Sequence, residues 1–432
     1  MRDNEGDVLE REHAVPLSAT VDVLVAGGGP AGIAAALASA REGAKTLLIE
    51  RYGYLGGMVT GAHVVWVLGV GDGYRPVARG TTQEIRERLE PLGAVRQPNK
   101  CGDYAVDPEV FKWQAAEMLA EAGADVLLHT LACDPIVEDG RVAGVFTESK
   151  NGRRAVRARV VVDCTADGDV AFRAGCGYDN ETHDVSLGVR IDGIDRAKVD
   201  AFRKESPGRY EEVVAEAKRL NGGAMPDSSR RVKGVDVTDA AALTKIEVGL
   251  RRDCYRALYY LREHLPGWEE ATVRLTLPQL GVRQSRRICC AYTLTDDDLR
   301  QSRQFDDGIA RLGSFLLGYK LYDPAGLRYD IPYRSLVPEG IDGLLVAGRS
   351  VSSDYLANNS VRLIVPCFAT GQAAGVAAAL AAKGGVQPRA VPVDGLRGNL
   401  VRQGAYLGAE GQDDGETASV TDGTPLKVED GK

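Results

Sequence analysis

The sequence predicts an α/β fold. A Rossmann-type dinucleotide-binding domain, with a parallel sheet and a β-meander, carries an inserted α+β substrate or cap domain. Three observations predict it. Residues 21–51 read as strand, glycine turn, helix, strand and acid. Residues 133–165 read as strands joined by Asp139-Gly140 and Asn151-Gly152 turns, ending in the apolar run 160–162. Between about 179 and 335 the chain turns more polar and helical, after which a short apolar run, 343–347, returns.

The first unit is VDVLVAGGGPAGIAAALASAREGAKTLLIER. Its opening run has the length and β-branched content of a buried strand. Gly27, Gly29 and Gly32 follow in GxGxxG spacing, with Pro30 and Ala31 opening a helix. Ile33, Leu37 and small alanines form the sheet-facing side of that helix, and Gly43 follows its end. Gly27 permits a tight turn, Gly29 lets the backbone approach a pyrophosphate, and Gly32 lets helix and strand pack closely. The helix start offers N–H groups and partial positive charge to phosphates. Glu50 lies 18 residues beyond Gly32, where a carboxylate meets ribose hydroxyls. A lone GxGxxG also marks turns that bind nothing. Here strand, helix, second strand and acid all accompany it, so the unit reads as a dinucleotide site.

The remaining elements follow in order. Residues 1–20 read as a loose leader with room for a short strand. Gly56 and Gly57 form a second glycine pair six residues past Glu50, a further close backbone approach to the cofactor. TTQEIRERLEPL, 81–92, reads as a helix capped by Thr81 or Thr82. A longer helix starts at Asp107-Pro108 and stops at Gly123. ADVLLHT is a strand, the meander follows, and TADGDVAFRAG closes the segment. In the inserted part, 195–220 and 238–265 read as helical, separated by a loop at Asn221-Gly222-Gly223. CFATGQAAGVAAALAA then reads as a small-residue helix able to pack very close to a ligand or sheet. The expected domains are 1–178 and 336–407 for the two nucleotide-domain segments and 179–335 for the cap. Residues 408–432 form a mobile acidic tail.

Composition bounds the partners. At 432 residues with 44% hydrophobic and 26% charged content, the chain is an ordinary globular protein with a sizeable core. A net charge of −8 argues against nucleic acid or an anionic membrane as partner. No charge-free run approaches the ~18 apolar residues of a membrane span, and the polar N-terminus lacks a signal-peptide core. A cytoplasmic protein with a small-molecule substrate is expected, and a homo-oligomer stays open. The eight cysteines show no CxxC spacing, which argues against a metal site, an iron–sulfur cluster or a redox disulfide. Cys289-Cys290 admits a vicinal disulfide, but reduced packing cysteines fit better.

Three stretches are more specific: ERYGYLGGMVT from Glu50, LPQLGVRQSRRICCAYTLTDDD from Leu277, and YDIPYRSLVPEGIDGLLVAGRSVSSDYLANNSVRLIVPCFATGQAAG from Tyr329. With the glycine fingerprint, they resemble the FAD-dependent oxidoreductase family of the glutathione-reductase-like flavoprotein superfamily, over most of the chain from about Val21 to Ala382. The resemblance implies FAD as cofactor, with Gly27, Gly29, Pro30, Ala31, Gly32, Glu50 and Arg51 on its ADP half. Gly56, Gly57 and Met58 lie by the pyrophosphate or flavin. Ala166 and Asp167 stand where the family has T-G-D, alanine replacing a glycine, and Gly348 and Arg349 match its late A-G-R. Thr370, Gly371 and Gln372 start the last helix, whose dipole supports negative charge at the flavin N1–O2 edge. Gln284 replaces the glutamate of R-E-S-R. Asp354, Tyr355, Asn358 and Asn359 fill a stretch where the family often shows His or Glu.

Hydride transfer to flavin N5 needs a substrate C–H over the ring and often a base. Among five histidines, His63 follows the second glycine pair and is the first candidate; a packing histidine is the alternative. His183, opening the cap, is a weaker one. Tyr355 and Asn359 lie just before the last helix, suiting contact with the reactive end or a hydrogen-bonded loop. Arg283, Arg286 and Arg362 are candidates to clamp a substrate carboxylate, or to form ion pairs tying the domains together. The expected activity is a dehydrogenase or oxidase acting on a small organic metabolite. The runner-up is a single-component NAD(P)H-dependent hydroxylase, whose D-G motif Asp167-Gly168 and Arg173 loosely match. A flavin-binding structural protein is the non-enzymatic alternative.

Overall fold

The structure, a computed structural model, describes residues 13–408 and 412, except 100, 182, 314, 318–319, 323–325 and 327. The leader up to residue 12 and all of the acidic tail but 408 and 412 lie outside the described residues. In the first segment, β1 (Leu17–Ala26), α1 (Pro30–Arg41) and β2 (Thr46–Ile49) are followed by α2 (Thr81–Leu89) and α3 (Pro108–Glu121). Then come β3 (Asp125–Leu127), β4 (Leu131–Glu138), β5 (Arg141–Ser149) and β6 (Gly152–Asp163). The middle holds β7 (His183–Leu187), β8 (Val189–Asp192), α4 (Arg196–Glu205), α5 (Pro207–Leu220), β9 (Arg230–Val235), α6 (Ala240–His264), β10 (Thr272–Thr276) and β11 (Gly281–Val282). The last segment supplies β12 (Leu344–Val346), α7 (Tyr355–Val361) and α8 (Ile364–Gly384).

The main sheet runs β3-β2-β1-β6-β5-β4, with β12 joining β6 in parallel beyond the end of β5. Strands β3, β2, β1, β6 and β12 are parallel; β4 and β5 form the antiparallel meander. Asp139 and Gly140 both take positive φ in the β4–β5 turn, as a tight hairpin requires. Covered on both faces, β1 from Val23 to Ala26 is fully buried, which is why it reads as an unbroken apolar run. Register then fixes the site. Ala26 pairs with Ile49 and with Asp163, and Val346 pairs with Asp163. The carboxyl ends of four parallel strands therefore stand level, where ligands bind in open α/β sheets.

Helix α8 lies across α1 as well as on the sheet. A Cβ on Gly371 would stand 2.1 Å from the Ala31 carbonyl oxygen, and one on Gly375 2.2 Å from that of Ala35. Two small-residue helices thus meet backbone to backbone, and α1 is buried on both sides. Contrary to the sequence expectation, α8 is long and apolar enough to cross a membrane by length and composition. Of its most apolar 18-residue window, 89% is buried inside the fold, so its apolarity serves the core.

In the middle region β7 pairs antiparallel with β9 and β11, and β8 with β10. Val199, Val213, Leu258, Leu261 and Trp268 form a separate small core under α4, α5 and α6. The stretch 195–220 is two helices, because Pro207 cannot continue the hydrogen-bond ladder of α4. Asp107 caps α3 by accepting from Glu109 and Val110. The threonine cap expected for α2 is not formed. Gly80 is its N-cap at φ 66°, and Thr81 and Thr82 are buried in the first turn.

The α1–α8 contact yields a stability prediction. Gly375→Ala gains about 1 kcal/mol of helix propensity but forces apart a full contact, costing about 1–3 kcal/mol. We expect net destabilisation in urea unfolding. Gly395→Ala, at a helical site with nothing within 4 Å of the new methyl, should stabilise instead. Equal behaviour of the two variants would show that the helices separate freely.

Candidate active site

The three fingerprint glycines have different surroundings. At Gly27, with φ 104°, a Cβ would stand 2.4 Å from the Cys164 carbonyl oxygen, and at Gly32 1.8 Å from that of Gly27. Both are demanded by the protein's own packing. At Gly29 the nearest heavy atom is the Gly57 Cα, 3.8 Å away, so a side chain has room in the fold itself. Gly29 is also the N-cap of α1, which has no side-chain cap and starts with Pro30. A helix start left uncapped beside an open cradle fits a pyrophosphate. Glu50 is held by the backbone: Oε2 accepts from Gly28 N–H at 2.6 Å and Oε1 from Tyr52 N–H at 2.8 Å. Each oxygen keeps a further lone pair for a ribose hydroxyl.

The second glycine pair closes on the first turn. Gly56 N–H donates to the Gly28 carbonyl at 2.8 Å, and a Cβ on Gly57 would come within 2.9 Å of the Gly29 Cα. Gln279 reaches over this turn, its Nε2 donating to the Gly57 carbonyl at 3.3 Å and lying 3.9 Å from the Met58 sulfur. Arg51 stacks its guanidinium over the Tyr52 ring. His63 sits just beyond, at φ 45°. The charged groups facing it are Arg190, Lys112, Glu109 and Asp107. None of these belongs to the polar cluster around Tyr355, though Ala62, next to His63, packs against Gly281 two residues before Arg283.

The loop after β6 is tied to the last segment. Ala166, at φ 70°, occupies the left-handed region that favours glycine. Arg349 donates to the Ala166 carbonyl at 3.1 Å, to Asp167 Oδ1 at 2.5 Å and to the Val282 carbonyl at 2.5 Å. Ser285 donates to the same Asp167 oxygen at 2.6 Å. Arg286 binds Asp169 at 3.0 Å and the Asp167 carbonyl at 3.2 Å, with its guanidinium over Phe172. Arg286 is therefore a tie between segments, a correction to its placement as a substrate clamp. Arg173, of the D-G stretch, donates to the Ala132 carbonyl in the meander.

Thr370, Gly371 and Gln372 do not start the last helix. That helix, α8, begins at Ile364, and these residues are buried in its second and third turns. Thr370 accepts from Gly348 N–H, Gly371 abuts Ala31, and Gln372 accepts from Thr81 N–H and donates to the Gln403 carbonyl. They hold α8 in place. The sequence run CFATGQ concealed the start because the first turn, IVPC, is as apolar as the rest.

A polar cluster forms where β7, β11 and α7 converge. Continuing the antiparallel register of Val185 with Val282 sets His183 across from Gln284. Gln284 is fully buried, and its Nε2 donates to the Tyr355 carbonyl at 3.1 Å and to Asn359 Oδ1 at 3.2 Å. The His183 ring lies 5.5 Å from that of Tyr355. Arg362 donates to Asn359 Oδ1 at 3.3 Å. Arg287 donates to the Ser353 carbonyl and to Glu181, its guanidinium 6.0 Å from the Tyr355 ring centre. Sequence reasoning ranked His183 below His63, treated Gln284 only as a departure, and did not single out Arg287. Gln284, two residues beyond Val282, could be found from strand alternation, whereas Arg287 breaks that alternation and had no such signal.

The residues present fit a flavin dinucleotide. Besides the Gly29 cradle, the buried atoms Gln284 Oε1, Asn358 Oδ1 and Ser350 Oγ have no hydrogen-bond partner among the described residues. All three lie on segments next to the level strand ends, as a polar ring edge requires. The eight cysteines are free thiols. Burial pushes Cys176 and Cys254 up to about 11 and Cys367 up to about 12, keeping these thiols protonated at neutral pH. No cluster of metal-ligating side chains occurs among the described residues.

Comparison with known proteins agrees. Residues 22–400 match the FAD dependent oxidoreductase family. The digeranylgeranylglycerophospholipid reductase of Methanospirillum hungatei is 34% identical over 166 residues, 37% of this chain and 41% of that protein. The chain thus spans about two fifths of the length of the reductases it matches. The thiamine thiazole synthase of Aeropyrum pernix is 38% identical over 211 residues, 47% of this chain and 70% of that protein. A geranylgeranyl bacteriochlorophyll reductase-like structure from Thermoplasma acidophilum matches 89% of this chain and 83% of its own, at 16% identity and TM-score 0.42. The family match runs through the glycine cradle, the Asp167–Arg349 tie and all of α8, and the chain accordingly belongs to the FAD dependent oxidoreductase family, an enzyme with FAD as its cofactor.

Proposed function

We propose that the enzyme oxidises a small organic metabolite by hydride transfer, in the manner of a dehydrogenase or oxidase. The cluster of His183, Gln284, Tyr355 and Asn359 carries this reading, because it sets side-chain donors and acceptors beside the atoms that fit a flavin edge. Bound FAD supplies a two-electron acceptor at N5. Gly29 and Glu50 would hold its ADP half at the turn that Gly27 and Gly32 shape, while Gln284, Ser350 and Asn358 would meet the polar ring edge. Cys176, Cys254 and Cys367, protonated and buried, offer no thiolate nucleophile.

Within the cluster, His183 is held neutral. Its Nδ1 accepts from the Asp184 N–H at 2.7 Å, which puts the neutral ring's proton on Nε2. Burial first, then the charge of Arg362, lowers its pKa, so the ring is neutral at pH 7. A neutral ring bounds the substrate space without adding charge to it. Tyr355 and Asn359 bound the same space.

Three measurements test this. Gly29→Val should fold normally, since Gly29 has φ −74° and open space around it, yet purify without flavin. A yellow variant would displace the cofactor site. For His183, the unfolded imidazole titrates near ~6.5 and the folded one lower, so stability is full above that value and falls as pH drops through it. Urea midpoints of the wild type should fall between pH 7 and 5 relative to His183→Asn; a wild type that gains stability on acidification would contradict a neutral ring. Finally, anaerobic NADH or NADPH should leave the flavin band intact while a donor metabolite bleaches it. Prompt bleaching by the nicotinamides would favour the hydroxylase.

A further inference from the structure

Between β10 and β11 the connector 277–280 divides its side chains. Leu277 and Leu280 are buried with Leu187 and Leu250 in a small core of the middle region. Gln279, between them, leaves that core and lies over the second glycine pair, only 7% exposed. Its backbone N–H donates to the Gly61 carbonyl at 3.3 Å, and its Nε2 to the Gly57 carbonyl at 3.3 Å. A methyl on Gly61 would stand 2.5 Å from that Nε2, so glycine at 61 makes room for the amide. Two charged residues of α6 hold the connector. Arg251 donates to the Thr276 hydroxyl at 3.1 Å and to the Leu277 carbonyl at 3.0 Å, and Glu247 accepts from the Leu280 N–H at 3.1 Å. These two also pair with each other one turn apart, so the connector is fastened at both ends to the same stretch of helix.

The turn under Gln279 needs a hold from outside. Gly56 and Gly57 take φ of 107° and 52°, and glycine backbone loses the most freedom on being ordered. The Gly57 carbonyl accepts from the Gly61 N–H at 2.8 Å within its own turn, and Gln279 adds a bond from a distant segment. That turn is one wall of the open cradle. Gly56 N–H bonds the Gly28 carbonyl, and a Cβ on Gly57 would come within 2.9 Å of the Gly29 Cα. We infer that Gln279 is a positioning residue for the flavin dinucleotide. It fixes the wall at Gly57 and Met58, and α6, by holding the connector, sets how firmly the cofactor is kept. The middle region thus acts on the cofactor itself, whichever metabolite is oxidised.

The test dilutes the flavin-loaded enzyme and follows the return of free-flavin fluorescence, with the visible flavin band and melting temperatures recorded alongside. Gln279→Met fills the same volume without a donor and should release flavin about fivefold faster, with a shifted band. Gly61→Ala, at a backbone angle open to alanine, pushes the amide off the turn from the other side and should act alike. Arg251→Met should speed release in the same direction, while the exposed Arg252→Met, its neighbour on α6, should leave it unchanged. Each effective variant should lose more melting temperature in the flavin-loaded chain than in the flavin-free one, which a purely structural role would not produce. If Gln279→Met does not fold, Gly61→Ala decides. Unchanged release in both, or equal melting losses with and without flavin, would overturn the inference. Wild-type release in Arg251→Met would overturn the part given to α6. Failure of every donor metabolite to bleach the flavin would defeat the proposed oxidation instead and leave this test readable, because release needs no turnover.

Discussion

Asp163, the last residue of β6, is fully buried, and its carboxylate accepts three hydrogen bonds from the loop that follows. Oδ1 takes the Thr165 N–H and hydroxyl at 3.0 and 2.6 Å, and Oδ2 takes the Ala171 N–H at 2.9 Å. Burial raises its pKa while these bonds oppose the shift, so the carboxylate is worth keeping only because the loop satisfies it. That one side chain folds 164–171 back over the strand end. Asp167 is thereby brought to Arg349 and Ser285, and Asp169 to Arg286. Three segments far apart in sequence meet there, and the cluster around Tyr355 stands on the result.

The helix pair solves a different problem. A flavin site needs the start of α8 close to the glycine turn, and bulky side chains would hold it away. Glycine at 371 and 375 lets α8 sit directly on α1, at a cost in helix propensity of about 1 kcal/mol each. Arg362 and Asn359, just before α8, inherit their positions from that contact. Side chains that do chemistry here are therefore placed by glycines two turns away.

Much of the fold was legible because its signals are local. The strand–turn–helix unit, the two hairpin turns and the Asp107 cap each depend on residues within a few positions. Errors arose where a tertiary partner decides. Thr81 and Thr82 looked like caps, but their side chains are drawn into the core and Gly80 takes the position. Small-residue spacing in α8 gave no mark of its first turn. The site divides in the same way. Its nucleotide end, built from backbone turns, could be read from spacing, whereas His183, Gln284 and Tyr355 are joined only by strand register and by α7. Arg286 and Arg287 are neighbours in sequence, yet alternation sends one to Asp169 and the other to Tyr355. No composition argument separates them.

The glycine fingerprint itself illustrates why spacing alone is weak evidence. Gly27 and Gly32 would be glycines in any chain that packed this turn on β6 and α1, whether or not it bound a nucleotide, since a methyl at either strikes the protein's own backbone. Gly29 is different: the protein leaves its side-chain space empty, at a backbone angle any residue can adopt. A residue that the fold does not require to be glycine, placed at an uncapped helix start, is explained by something outside the chain. The ligand argument therefore rests on the middle glycine, and the outer two only shape the turn that presents it.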